Sequence, residues 1–241
     1  LIFWLSQQGA PVYVMVLGYV LAWGIHASGT LLFVLKFAKN TLPVFDFKYI
    51  FKLFKEVLPL SATLILNVLY FRADSFILAY FKNPAEVGVY NLAYQVFQSI
   101  LVLPTFIMNS YYPMMLQARK ISKIAPLILL FLSFSILLTT YYLSPFIIKL
   151  ITGSGFVGSV ESLRILSFGF PAYFLSALLM WVMVAKKMYK KLLIVYGLGL
   201  IVNIAANLYF IPLYGYVAAS WITGISEYLI LAMQAVILFK R

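Results

Sequence analysis

The chain has 241 residues, of which 64% are apolar or aromatic and only 10% are charged. Soluble domains are close to half apolar and about a quarter charged, so this composition excludes a water-soluble globule, a disordered chain and a cytosolic enzyme. The sequence contains no cysteine, which excludes disulfides, thiol nucleophiles and zinc–thiolate sites. The net charge is +12, and its distribution along the chain decides whether it indicates nucleic acid or a membrane surface.

Runs of about 20 apolar residues predict transmembrane helices, because lipid offers the backbone no hydrogen-bond partner. We therefore predict an all-α fold, a polytopic membrane helical bundle of about seven transmembrane helices. The complete runs are 11–35, 57–80, 88–112, 125–148, 162–185, 192–211 and 215–239. Residues 1–10 are expected to be the tail of a truncated helix and its outer loop.

The cations lie in alternate loops between the predicted spans. One set of loops holds fourteen lysines and arginines and the other set holds three, while Arg72 lies inside a span. The positive-inside rule places the basic loops and the C-terminus in the cytoplasm. The distribution of the basic residues therefore indicates the topology of a multi-pass protein of the cell (inner or plasma) membrane. Membrane lipid is an expected partner, and nucleic acid is not.

Residues 36–56 are predicted to form a basic amphipathic cytoplasmic linker. Its lysines fall on one helical face and its aromatic and aliphatic side chains on another, a pattern typical of helices in the membrane interface. The two faces are Lys48, Lys52 and Lys55, and Phe47, Ile50, Phe51 and Phe54. The segment follows one complete span and precedes six closely spaced ones, which indicates a linker between two bundles.

Several predicted spans carry polar side chains at helical spacing, which is informative because a polar group at membrane depth is costly. Together these stripes predict a bundle around a water-filled cavity; the alternative is interhelical hydrogen bonding that only joins the helices. The stripes comprise Thr63, Asn67, Tyr70 and Asp74; Asn91, Gln95, Gln98, Thr105 and Asn109; Ser220, Thr223, Glu227 and Gln234; Tyr196, Asn203 and Asn207; and Tyr19, Trp23, His26 and Thr30.

The charged residues inside the predicted spans could each have more than one role. Asp74 and Glu227 are candidates for ion coupling, and Glu227 has as its alternative a hydrogen-bonded carboxyl that holds helices together. Arg72 is either a structural or snorkelling cation or a cavity cation that meets an anionic group. Arg72 and Asp74 are two residues apart and are not expected to pair.

Other polar residues are assigned structural roles or none. Asn203 and Asn207 are expected to be structural polar residues that join helices. Glu161 and Arg164 are three residues apart at the start of a helix and are expected to form an exposed ion pair. His26 is the single histidine, so no metal site is expected.

The segment NIAANLYFIPLYGYVAASWITGISE, residues 203–227, resembles the penultimate-to-last helix signature of bacterial and archaeal oligosaccharide flippases. These are the polysaccharide-biosynthesis or O-antigen-translocase type of the multidrug/oligosaccharidyl-lipid/polysaccharide exporter superfamily. Residues 84–94 and 162–166 look like two outer turns of the same family. The resemblance extends from about residue 55 to the end of the chain.

The resemblance implies two six-helix lobes that face a central cavity and rock between inward- and outward-open states. Residues 11–35 would then be the last helix of the first lobe and residues 57–241 the second lobe. The rest of the first lobe would be missing, so the chain looks like an N-terminally incomplete copy whose partner is that lobe of the same chain. A monomer is expected.

Relatives of this type move prenyl-diphosphate-linked glycans across the membrane, which implies the same activity here and no catalytic residue. No cofactor is expected apart from a coupling ion, H⁺ or Na⁺. Arg72 would engage the diphosphate of a lipid-linked oligosaccharide, because a guanidinium lowers the cost of desolvating that group. The remaining substrate-binding candidates are Asn67, Asp74, Asn91, Gln95 and Gln98.

Three other classes of function remain as alternatives. A cation-coupled multidrug antiporter of the same superfamily would need acidic residues in the cavity, for which Asp74 and Glu227 qualify. A polytopic glycan-processing enzyme would need a sizeable outer loop or a His/Asp constellation, and the predicted outer loops are short. A non-catalytic membrane scaffold would not require aligned amide stripes.

Overall fold

The computed structural model describes residues 11–37, 46–118, 124–153 and 156–239. Throughout these ranges the regular structure is α-helical, which confirms the predicted all-α fold. In chain order the helices are α1 (Val12–Phe37), α2 (Phe47–Tyr70), α3 (Ala73–Phe81), α4 (Pro84–Ile100), α5 (Val102–Ala118), α6 (Ala125–Thr152), α7 (Val157–Ser167), α8 (Phe170–Ala185) and α9 (Tyr189–Phe239). The predicted tail at residues 1–10 lies outside the described residues, and so does most of the first half of the predicted linker.

Five segments of the described chain are long and apolar enough to span a membrane, or six when the bent pair α7–α8 is counted as one span. The predicted spans 57–80, 88–112 and 162–185 are each present but broken. The breaks fall at Phe71–Arg72, Leu101 and Phe168–Gly169. Pro104 and Pro171 stand just after two of them, where the missing amide removes a bond of the helical ladder.

The predicted spans 192–211 and 215–239 both lie in α9, which has 51 residues with a break at Gly215. A straight helix of that length would measure about 77 Å, more than twice the thickness of the hydrocarbon core. Residues at similar sequence distances on either side of Gly215 are in contact: Asn203 bonds to Ser226, and Gly199 packs against Ile230. α9 is therefore a helical hairpin whose two halves are the two predicted spans.

Gly215 forms the turn of this hairpin with φ 57° and ψ −137°. That combination is strained for any residue with a Cβ, and a Cβ here would also overlap the Glu86 carboxylate at the start of α4. The sequence between the two halves therefore needs glycine at this position for two independent reasons.

The chain divides into two compact units, residues 1–52 and 53–241. In the described part of the first unit, α1 presents most of its apolar side chains on the surface. The second unit has a core of aromatic side chains from α4 and α8, in which Phe97 stacks on Phe170 and meets Tyr173 edge to face. The assignment of this unit to a second lobe, and of residues 36–56 to a linker, stays a prediction.

Replacing Gly215 with alanine should destabilise the protein by about 1–3 kcal/mol, because alanine resists this backbone conformation and its Cβ meets Glu86. Thermal unfolding of the purified protein in detergent measures the change. Gly197→Ala is the matched control, since Gly197 is helical and its nearest neighbour would lie 3.8 Å from the new Cβ. Equal melting temperatures for G215A and the unmodified protein would contradict the turn assignment.

Candidate functional site

A pocket of about 310 Å³ lies in the second unit between α2, α4, α5, α8 and α9. It is called the polar pocket here because amide, hydroxyl and carboxyl groups from these five helices form part of its wall. These groups belong to Asn67, Gln98, Thr105, Ser176 and Glu227. Tyr173 and Tyr196 are among the aromatic residues that complete the lining. All five polar residues lie well inside predicted spans, so the pocket is at membrane depth.

Glu227 is the acidic residue of the polar pocket. Its side chain is 3% exposed and accepts hydrogen bonds from the hydroxyls of Ser176 in α8 and Tyr70 in α2, the latter at 3.4 Å. These donors satisfy a carboxyl that would otherwise be costly to bury. Glu227 therefore joins three helices and also contributes to the pocket wall, so the structure contains features of both alternatives raised from the sequence.

Arg72 lies beside the polar pocket and connects to it through Gln98. Its Nη2 donates to Oε1 of Gln98 at 3.4 Å, and its guanidinium carbon lies 5.7 Å from the centre of the Tyr94 ring. Arg72 is exposed and lies in the break between α2 and α3, where it is the residue that precedes α3. As expected from the two-residue spacing, its hydrogen bond goes to a residue other than Asp74.

Asp74 is enclosed, with 1% of its surface exposed, and it is not part of the pocket wall. The hydroxyls of Tyr90 and Thr223 and the backbone amide of Ser75 donate to its carboxylate, the last two at 2.9 and 2.6 Å. The Ser75 hydroxyl in turn donates to Oδ1 of Asn91 at 2.9 Å. This network, the Asp74 network, joins α3, α4 and α9.

The predicted polar stripe of residues 88–112 divides between the interior and the surface of the second unit. Asn91 is half-buried in the Asp74 network and Gln98 is half-buried beside Arg72. Gln95, Thr105 and Asn109 are exposed, and this surface is called the α4–α5 polar face. The polar pocket opens close to this face, since Thr105 belongs to both.

Two of the sequence-derived structural predictions can be compared with contacts. Buried Asn203 donates to the Ser226 hydroxyl at 3.1 Å and so joins the two halves of α9, whereas buried Asn207 donates to Oδ1 of Asn203 at 2.8 Å within its own half. The expected Glu161–Arg164 pair is wrong. Glu161 accepts from the Tyr216 hydroxyl at 2.9 Å, while Nε of Arg164 donates to the Tyr141 carbonyl and the Ser144 hydroxyl.

Sequence reasoning missed Ser176, Tyr90 and Ser226. Each is a hydroxyl that donates or accepts within a buried pair. Tyr90 and Ser226 lie in spans with a predicted polar stripe, whereas Ser176 lies in a span without one. A signal was present for Ser176, because Tyr173 and Ser176 form a short polar pair three residues apart in the otherwise apolar stretch 168–185. Nothing in the spacing could have shown that Ser176 and Tyr90 pair with carboxylates and that Ser226 accepts from the Asn203 amide.

Fold and site together define a polytopic α-helical membrane protein with a polar pocket at membrane depth. A family model described as Polysaccharide biosynthesis protein matches residues 1–119. Over these 119 residues, just under half of the chain, the protein is similar to the polysaccharide biosynthesis protein family. The matched segment includes Arg72, Asp74 and Gln98, whereas Glu227 and the motif at 203–227 lie outside it. Comparison with curated proteins and with solved structures finds no significant match.

The Asp74 network gives a prediction about stability. Tyr90→Phe removes one donor from a buried carboxylate and should destabilise the protein by about 1–3 kcal/mol. Tyr94→Phe is the matched control, because Tyr94 stacks on Tyr90 and its buried hydroxyl has no hydrogen-bond partner among the described residues. Thermal unfolding in detergent should show a lower melting temperature for Y90F only. An equal effect of the two substitutions would contradict the network.

Proposed function

We propose that this protein takes part in flipping a lipid-diphosphate-linked oligosaccharide across the membrane by alternating access, for the assembly of cell-surface polysaccharide. The family match gives the coarser role, in polysaccharide biosynthesis. The observation that carries the finer proposal is the position of Arg72, an exposed guanidinium bonded to a pocket amide inside an apolar bundle. In this proposal the second unit is one lobe and its α4–α5 polar face borders the translocation path.

The chemistry of the substrate fits the groups at this site. A diphosphate that crosses hydrocarbon unaided meets a large desolvation cost, which a guanidinium reduces through charge-assisted hydrogen bonds. The amides of Asn67 and Gln98 can exchange hydrogen bonds with sugar hydroxyls, while the prenyl tail stays in lipid. The pocket volume of about 310 Å³ is at the lower end for ligand sites, so it would hold one part of such a substrate.

Glu227 supports a further part of the proposal, in which translocation is coupled to H⁺ or Na⁺. It is the carboxyl on the pocket wall, whereas Asp74 is enclosed by its own donors. The position of Glu227 on the pocket wall also favours the second candidate function, a cation-coupled multidrug antiporter. Of the two sequence-derived carboxyl candidates, only Glu227 lines the pocket, so we place the flippase first and keep Asp74 as an ion-coupling candidate with less support.

We also propose an orientation of the protein in the membrane. The fourteen cations of the basic loops would face the cytoplasm, and the C-terminus would lie there too. The multi-pass character follows from the apolar helices, while this orientation rests on the charge distribution alone.

Arg72→Ala in the gene should reduce export of polysaccharide more than ten-fold in cells that lack their own flippase, because the diphosphate loses its cationic partner. Arg72→Lys should retain part of the activity, since a charge remains but the planar fork is lost. Lys82→Ala, a cation of the same unit that does not line the pocket, is the control. The measurement is surface polysaccharide at matched membrane levels of the variants.

Unchanged export by R72A would contradict the proposed role of Arg72. Drug resistance that depends on Glu227, without any restoration of polysaccharide export by the unmodified gene, would favour the antiporter instead.

A further inference from the structure

The second unit contains a larger cavity that the proposed translocation path does not use. It is a groove of about 880 Å³ between α6, α7 and the second half of α9, called the α6–α7 groove here. Ile148 and Ile165 are buried beneath it, and Val157, Val160 and Val217 add to its aliphatic lining. Neither Arg72 nor any residue of the polar pocket belongs to it.

The α6–α7 groove is polarised along the helix axes. Lys149 lies in the last turn of α6, next to the chain reversal at Gly153, and Thr152 and Glu161 are nearby on the lining. Tyr141, Phe168 and Trp221 line the other end, where Phe168 stacks on Trp221. The eleven helical steps from Tyr141 to Thr152 correspond to about 16 Å of helix. The groove thus extends from the level of the helix ends to roughly the middle of the hydrocarbon core.

Arg164 lies toward the aromatic end, with its guanidinium carbon 5.2 Å from the centre of the Tyr141 ring, and a proline in α6 explains its position. Pro145 has no amide to donate to the carbonyl of Tyr141, four residues earlier. Nε of Arg164 donates to that carbonyl at 3.2 Å and to the Ser144 hydroxyl at 3.1 Å. Neither Nη nitrogen makes a hydrogen bond to any part of the chain that the structure describes. Arg164 is therefore held in place by Nε and can offer its two Nη groups to an anion in the groove.

We infer that the α6–α7 groove binds an anionic phospholipid, with the phosphate at Lys149 and Arg164 and one acyl chain along the aliphatic and aromatic lining. The charge balance favours an anion: the lining contains two cations, and its one carboxylate, Glu161, already accepts a hydrogen bond from Tyr216. The deep end favours an acyl chain over a sugar, because it consists of aromatic and aliphatic side chains. The lipid would occupy this site whether or not the protein is a flippase.

Native mass spectrometry of the whole chain in detergent tests this inference with phosphatidylglycerol and phosphatidylcholine that have the same acyl chains. The unmodified protein should bind its first phosphatidylglycerol more tightly than its first phosphatidylcholine. Lys149→Gln should weaken the phosphatidylglycerol complex about five-fold, the effect of one cation at a membrane surface. Lys149→Glu should abolish the preference. Lys149 is exposed, so neither substitution removes a buried contact.

Lys82→Gln is the matched control, because Lys82 also follows the end of a helix in the second unit but lies outside the groove. It should bind both lipids as the unmodified protein does. Soluble glycerol phosphate supplies the same anion without an acyl chain and should compete only weakly. Equal affinity for the two lipids, equal effects of K82Q and K149Q, or competition by glycerol phosphate as strong as by the lipid would each overturn the inference.

Discussion

A buried polar group in a membrane protein must find a partner inside the protein or reach water, because the surrounding hydrocarbon offers neither. Most of the second unit follows from that constraint. The Asp74 carboxylate receives three donors from α3, α4 and α9, and Glu227 receives two from α2 and α8. Arg164 satisfies the carbonyl that Pro145 leaves without a donor. Each of these groups fixes helices to one another at the point where an unpaired group would cost most.

The groups that this internal pairing does not use up are the ones available for function. Asp74 and Asn203 are bonded to groups on other helices or helix halves, and Asn207 is buried against Asn203. Arg72, Gln98 and the exposed residues of the α4–α5 polar face remain accessible, and they adjoin the polar pocket. Glu227 belongs to both groups, since its carboxyl is hydrogen-bonded inside the protein and also forms part of the pocket wall. Substituting a residue that is bonded inside the protein should therefore destabilise the protein, whereas substituting an accessible residue should reduce its activity.

The sequence allowed the helical class and most of the spans to be predicted, because apolar length is a local property. It also placed Asn67 and Glu227, which the structure brings to one pocket, on polar stripes of separate helices. The breaks at Phe71–Arg72 and Leu101 were not predicted, and Arg72 lies exposed in the first of them while Asp74 is enclosed. The partners of Glu161 and Arg164 depend on Tyr216 and on the proline-freed carbonyl, which are distant in sequence and invisible to local spacing.

The amide side of the polar pocket should be in contact with water at membrane depth, since its groups are the ones left accessible by the internal pairing. The chain has no cysteine, so a single introduced cysteine can be labelled with a membrane-impermeant thiol reagent without background. Gln98→Cys lies on the pocket wall, and Leu138→Cys lies mid-helix on the exposed apolar side of α6. We expect the cysteine at position 98 to react readily with the thiol reagent and the cysteine at position 138 not to react. A cysteine at position 98 as unreactive as the one at position 138 would contradict it.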